Sequence, residues 1–214
     1  MMQNAIRRPK IIGISGGSGG GKTLLATMLC QQLGADNTVL LSLDAFYKNQ
    51  VDIPLAIRGN YDHPDSIDQE LFFDQLRQLR LGEDVDIPCY DFPTHSRISI
   101  TEYIACKPVI ILDGVLLYAL EGIFDYLDLS IFVDTAPDVR LARRLLRDVQ
   151  ERGRTLECVV EQYLTTVRPM HNRYVEPHKQ RVDKIVSGEI DFEETLPDLL
   201  KTIERLTEEQ RQAA

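Results

Sequence analysis

The chain has 214 residues, of which 43% are hydrophobic and 27% charged, with 13 Gly and 10 Pro. That profile fits one globular domain and excludes a fibrous or largely disordered chain. The formal net charge of −9 argues against a general binder of nucleic acid or anionic membranes, because sequence-independent phosphate binding needs positive potential.

Short apolar runs alternate with amphipathic segments along the chain, the signature of βαβ units on a parallel sheet. Strands are predicted at 11–15, 38–43, 109–112 and 129–133, all rich in Val, Ile or Leu and bounded by turn residues. Continuous runs of this kind suit strands covered on both faces. Helical spacing marks 22–33, 69–81, 137–152, 156–166 and 192–206, with Pro137 opening one helix and Gly34 closing another. Around 89–97, alternating residues at 85–87 and 99–103 predict a small antiparallel excursion between two core strands. The expected fold is α/β: a parallel sheet flanked by helices, in a single domain over 1–214. It carries a β insertion at about 84–104, an Arg-rich helical lid at about 137–166 and a C-terminal helix at about 192–209.

Gly16-Gly17-Ser18-Gly19-Gly20-Gly21-Lys22-Thr23 matches G-x-x-x-x-G-K-[ST] in full. It lies between a strand and a helix, where a flexible linker would not. Glycines let successive backbone N–H groups point at phosphate oxygens, and the helix that follows presents its positive end to the same anion. Lys22 supplies a point charge for the β- and γ-phosphates, and the Thr23 hydroxyl is a candidate Mg²⁺ ligand. The segment reads as a nucleoside triphosphate site, which makes the expected sheet one of the P-loop NTPase type. Asp113 ends an apolar strand in the Walker-B manner and is the second candidate metal ligand. Asp44 follows another strand and should face the same crevice, where a carboxylate could orient or deprotonate an attacking hydroxyl and approach the metal.

Arg140, Arg143, Arg144 and Arg147 share one helical face, and Arg152 and Arg154 follow around Gly153. No lysine occurs among them, and guanidinium forks are preferred where phosphate is held bidentately. They are expected to form a lid over the phosphates, hinged near Gly153, with Leu141, Leu145 and Val149 packing on the body. Two polar–aromatic clusters lie between the candidate acids. One is Tyr47-Lys48 with Asn60-Tyr61-Asp62-His63-Pro64-Asp65, and the other is Tyr90-Asp91-Phe92-Pro93-Thr94-His95-Ser96-Arg97. Their residue types suit a small polar ligand with a ring.

No run approaches the roughly 18 apolar residues of a membrane span. Residues 1–10 carry Arg7, Arg8 and Lys10 without the apolar core of a secretory signal. Cys30, Cys89, Cys106 and Cys158 lack zinc or disulfide spacing, so a reduced, cytoplasmic location is expected.

Over about 10–186 the chain resembles the uridine kinases (uridine–cytidine kinases) of the P-loop kinase superfamily. The resemblance is carried by the P-loop, Leu43-Asp44-Ala45-Phe46-Tyr47, Asn60-Tyr61-Asp62-His63-Pro64-Asp65, Tyr90-Asp91-Phe92 with His95-Ser96-Arg97, Arg147-Asp148 with Glu151-Arg152-Gly153-Arg154, and Gln162-Tyr163 with Val167-Arg168-Pro169-Met170. It implies transfer of the ATP γ-phosphoryl group to the 5′-hydroxyl of uridine or cytidine, giving UMP or CMP for pyrimidine salvage, with Mg²⁺. It supports Asp44 as catalytic base, assigns Tyr47, Tyr90, Phe92 and His95 to the base, and places Asp62 and Arg144, with Gln162 nearby, at the ribose. Arg147, Arg152 and Arg154 then face the phosphates. It also implies a homo-oligomer, a tetramer, acting on small molecules. A phosphoribulokinase- or pantothenate-kinase-like enzyme, or an ATP-binding switch that is no kinase, are the alternatives. The chain departs from the family pattern at Asp113-Gly114, where Glu-Gly is usual, at Gly20, where Ser or Ala is usual, and at Ser187-Gly188-Glu189, which replaces Pro-Arg-Gly-Gly.

Overall fold

The computed structural model describes residues 8–212; the basic stretch before residue 8, Arg7 included, lies outside the described residues. Five parallel strands form the central sheet in the order β2-β5-β1-β6-β7. These are β1 (Lys10–Gly16), β2 (Thr38–Ser42), β5 (Val109–Asp113), β6 (Leu129–Asp134) and β7 (Lys184–Ser187). A separate antiparallel hairpin pairs β3 (Val85–Asp91) with β4 (Ser96–Ile104), with a register shift between Pro88 and Cys89.

The apolar runs of β1, β5 and β6 split their side chains between two cores, as period 2 requires. Ile11, Ile110, Leu112 and Phe132 enter one core with α2 (Gln69–Arg80). Ile12, Ile14, Val109, Ile111, Ile131 and Val133 enter the other with α1 (Lys22–Leu33) and the C-terminal helix α6 (Leu196–Gln212). Because both faces are covered, these strands carry no polar alternation.

Two segments lay hidden in the sequence. The four-residue β7 pairs with β6 from Ile131↔Lys184 to Asp134↔Ser187. Beyond α4 (Leu156–Gln162) the chain stays helical through a π turn at Tyr163–Val167, one α turn, α5 (Arg168–Met170), a second π turn at His171–Val175 and a 3-10 turn at Glu176–Gln180. Pro169 and Pro177 conceal this stretch, since proline removes a helical donor and crowds the preceding turn, and π turns supply the needed width.

The packing of α3 (Pro137–Gln150) corrects one expectation. Leu141 and Leu145 are only half-buried and Val149 is exposed, whereas Arg140, Arg144 and Asp148 on the charged face are buried. The helix turns these charges inward because each finds a partner there: Arg140 the Thr135 carbonyl, Arg144 Ser18 and Gln162, and Asp148 its neighbouring arginines. A paired charge tolerates burial that an unpaired one would not.

A candidate active site at the carboxyl ends of the strands

The P-loop runs from the end of β1 into α1, and its geometry demands glycine. Gly19 has φ +78°, and a Cβ there would stand 2.5 Å from the Arg140 carbonyl oxygen. The loop is therefore wrapped against α3, and no L side chain fits between them. Lys22 is buried and donates from Nζ to the Gly17 carbonyl at 3.0 Å. Burial lowers its pKa, opposed by the charges of Asp113 and Asp44.

Two of the departures from the family pattern meet here. Thr135 donates to the Gly20 carbonyl at 2.9 Å, and a Cβ on Gly188 would lie 2.3 Å from the same oxygen. The Ser187-Gly188-Glu189 segment thus passes too close to the P-loop for any residue but glycine at 188. Glu189 accepts the Ala136 N–H at 2.7 Å, placing a carboxylate at the positive end of α3, and Arg143 donates to the Gly188 carbonyl at 2.8 Å.

Asp113 closes β5 and is buried. Its Oδ2 accepts the Thr23 hydroxyl at 2.5 Å, and its Oδ1 is buried with no hydrogen-bond partner. A buried carboxylate oxygen without a donor beside a threonine hydroxyl fits a divalent cation and its waters. The shorter Asp side chain still reaches Thr23 directly; in the sheet Asp113 lies between Ile14 of β1 and Ser42 of β2.

Asp44 sits in the 3-10 turn Leu43–Phe46 that follows β2, its backbone N–H held by the Ser42 hydroxyl at 3.3 Å. Phe46, fully buried and edge-on to Phe72 at 5.1 Å, anchors that turn in the core. Burial raises the Asp44 pKa, Asp113 raises it further, and Lys22, Arg152 and Arg147 oppose the rise.

A single cleft of about 910 Å³ connects these groups to the polar–aromatic clusters. Its lining brings together Ser18, Gly19, Gly21, Lys22, Thr23, Asp44 and Asp113 with Tyr47, Asp62, Phe92, His95 and Gln162, and with Arg144, Arg147, Arg152 and Arg154. Gly16, Gly17 and Gly20 shape the P-loop from behind and are not part of that lining. Tyr90 also stands behind it, its ring 5.4 Å from both Tyr47 and Phe92 and its hydroxyl buried without a partner. His95 has φ +50°, a left-handed turn residue that redirects the chain between β3 and β4. Burial raises the Asp62 pKa against the opposing Arg144 charge, the Thr166 hydroxyl and Arg154.

Three residues at the site were given no separate role by sequence: Arg140 entered only among the lid arginines, and Tyr61 and Asp148 only within longer motifs. Tyr61 stacks on His95 at 4.6 Å and lines the cleft; its signal was the aromatic cluster that contains it. Arg140 is buried against the P-loop, its Nε donating to the Thr135 carbonyl at 3.0 Å. Asp148 is 0% exposed and gathers the arginines around it: Arg147 at 2.8 Å, Arg154 at 3.4 Å, and Arg144 and Arg152 each at 3.5 Å. Arg152 also lies over the Phe92 ring at 5.7 Å, tying the stretch after α3 to the hairpin.

The family model described as Phosphoribulokinase / Uridine kinase family matches residues 11–190. A uridine kinase of Leuconostoc citreum is 46% identical over 183 residues, covering 84% of this chain and 87% of its own. A uridine kinase of Lactobacillus johnsonii is 46% identical over 190 residues, covering 86% and 90%. The solved phosphoribulokinase of Rhodobacter spheroides, only 15% identical, shares the fold with a TM-score of 0.63 over 85% of this chain and 70% of that one. With its P-loop, its sheet and these relatives, the chain belongs to the phosphoribulokinase/uridine kinase family.

Proposed function

We propose that the protein is an ATP-dependent uridine/cytidine kinase that phosphorylates the nucleoside 5′-hydroxyl. The observation that supports this reading is one cleft lined both by the P-loop and Asp44 and by the aromatic cluster of Tyr47, Tyr61, Phe92 and His95 with Asp62. The names of the relatives at 46% identity point the same way.

In this reading the P-loop amides and Lys22 hold the phosphates, and the base lies among Tyr47, Tyr61, Phe92 and His95 with Tyr90 behind them. A neutral His95 suits either pyrimidine, since its two tautomers offer a donor or an acceptor. Asp62, Arg144 and Gln162 take the ribose hydroxyls, which presents the 5′-oxygen to Asp44. Asp44 accepts the hydroxyl proton as that oxygen bonds to the γ-phosphorus and the bond to the β–γ bridging oxygen breaks, releasing ADP. Raising the pKa of this carboxylate makes it a stronger base than an exposed aspartate. Arg147, Arg152 and Arg154 neutralise charge on the transferring group, with the α3–α4 segment as a lid that excludes water. Thr23 and Asp113, with Asp44 nearby, would hold Mg²⁺, which when bound offsets charge on the β- and γ-phosphate oxygens.

The test is ADP release from Mg-ATP with uridine, cytidine, pantothenate or no acceptor. Turnover with uridine or cytidine alone is the expected result. Acceptor-independent release would overturn the reading in favour of an ATPase or switch, and turnover with pantothenate in favour of another small-molecule kinase.

A further inference from the structure

Arg144 is 7% exposed and lines the cleft together with Ser18 of the P-loop and Gln162. Its Nη1 donates to the Ser18 hydroxyl of the P-loop at 3.0 Å, and its Nη2 donates to Gln162 Oε1 at 2.8 Å. Its Nε, 3.5 Å from Asp148 Oδ2, has no hydrogen-bond partner. The guanidinium is planar and rigid, so one terminal nitrogen cannot turn without moving the other. Gln162 Oε1 also accepts from Arg154 at 2.6 Å, which holds that oxygen in place.

From this geometry we infer that Arg144 and the Ser18 hydroxyl couple the two substrate sites, so that nucleoside and ATP each tighten binding of the other. The inference rests on the nucleoside kinase reading above. A ribose seated on Asp62 and Gln162 fixes the guanidinium plane and, through Nη1, the Ser18 side chain at the tip of the P-loop. ATP seated in the P-loop fixes the same groups from the other side. Each ligand orders a shared set of side chains, and the second to bind loses less conformational freedom. Linkage makes the effect reciprocal: the factor by which ATP tightens nucleoside binding equals the factor by which nucleoside tightens ATP binding.

The experiment is calorimetric titration of uridine into the protein with and without saturating Mg²⁺ and a non-hydrolysable ATP analogue, then the reverse titration. About a tenfold tightening in both directions is expected for the natural chain, the scale of one charge-assisted hydrogen bond. In Ser18→Ala the factor should fall below about twofold, because the backbone amide of the loop remains while the hydroxyl that joins it to Arg144 is gone. Ser18→Thr, which keeps a hydroxyl, should retain the coupling. A factor near one in the natural chain, or full coupling in Ser18→Ala, overturns the inference while leaving the kinase reading intact. Failure of uridine to bind beside a bound analogue overturns both.

Discussion

Replacing Asp148 by Asn keeps the shape of the side chain and removes its charge. Four arginines lose their common counter-charge, at 2.8 to 3.5 Å. Removing one partner of a fully buried ion pair costs roughly 3–5 kcal/mol. Only Arg144, at 9% side-chain exposure, is held in that regime. Arg147, Arg152 and Arg154 are 31%, 44% and 27% exposed, so water screens them and they can turn outward. The Arg154 backbone N–H still bonds the Asp148 carbonyl at 3.1 Å, which the substitution does not touch. The net loss is then about 2–3 kcal/mol, which lowers Tm by about 4–12 °C in a chain of this size. The assay is thermal unfolding followed by circular dichroism, without ligand and then with Mg-ATP. Phosphates bring negative charge to the same arginines, so the deficit should shrink when ATP is bound. A Tm within about 1 °C of the natural chain would refute the assignment of Asp148 as the charge that holds these arginines together.

Asp44→Asn should lower kcat by about 10²–10⁴-fold, read by ADP release with uridine, and should raise Tm at neutral pH. The sign follows from its raised folded pKa: the group's contribution to stability is present below the ordinary carboxylate range and lost as pH rises through the folded value, so a neutral side chain relieves a penalty at pH 7. The natural enzyme should lose kcat/KM as pH falls through that raised pKa, with the limb displaced upward from an exposed aspartate. Deoxyuridine should be a poorer substrate than uridine by about 10²–10⁴-fold in kcat/KM, because Asp62 and Gln162 would be left without a 2′-hydroxyl, and Asp62→Asn should narrow the gap. Buried His171, its pKa lowered to about 4 by desolvation and the Arg140 charge, contributes stability that is present above 6.5 and lost as pH falls toward about 4. His171→Gln should flatten that part of the Tm–pH curve.

Residues close in sequence carried most of the information about donor chemistry. The G-x-x-x-x-G-K-[ST] string between strand and helix specifies the phosphate cradle, because the loop's backbone and the helix dipole do the binding and both are local. The apolar runs of β1, β5 and β6 likewise announce a sheet covered on both faces, since burial on both sides erases alternation. Asp44 and Asp113 were legible because strand carboxyl ends in such a sheet face one crevice.

Long-range packing decided the rest. β7 is too short to show itself and exists through its pairing with β6, and the π turns exist because a helix carrying Pro169 and Pro177 is held by its surroundings rather than by propensity. Leu141, Leu145 and Val149 promised an apolar interface by period alone, and the structure reversed it by burying Arg140, Arg144 and Asp148, each with a polar partner. Whether a charge turns inward depends on what waits for it there: Asp148 meets arginines of its own stretch, whereas Arg144 meets Ser18 from a segment far away in the chain. Ser18 and Arg144 are 126 positions apart and 3.0 Å apart in space, a distance that no pattern along the chain encodes.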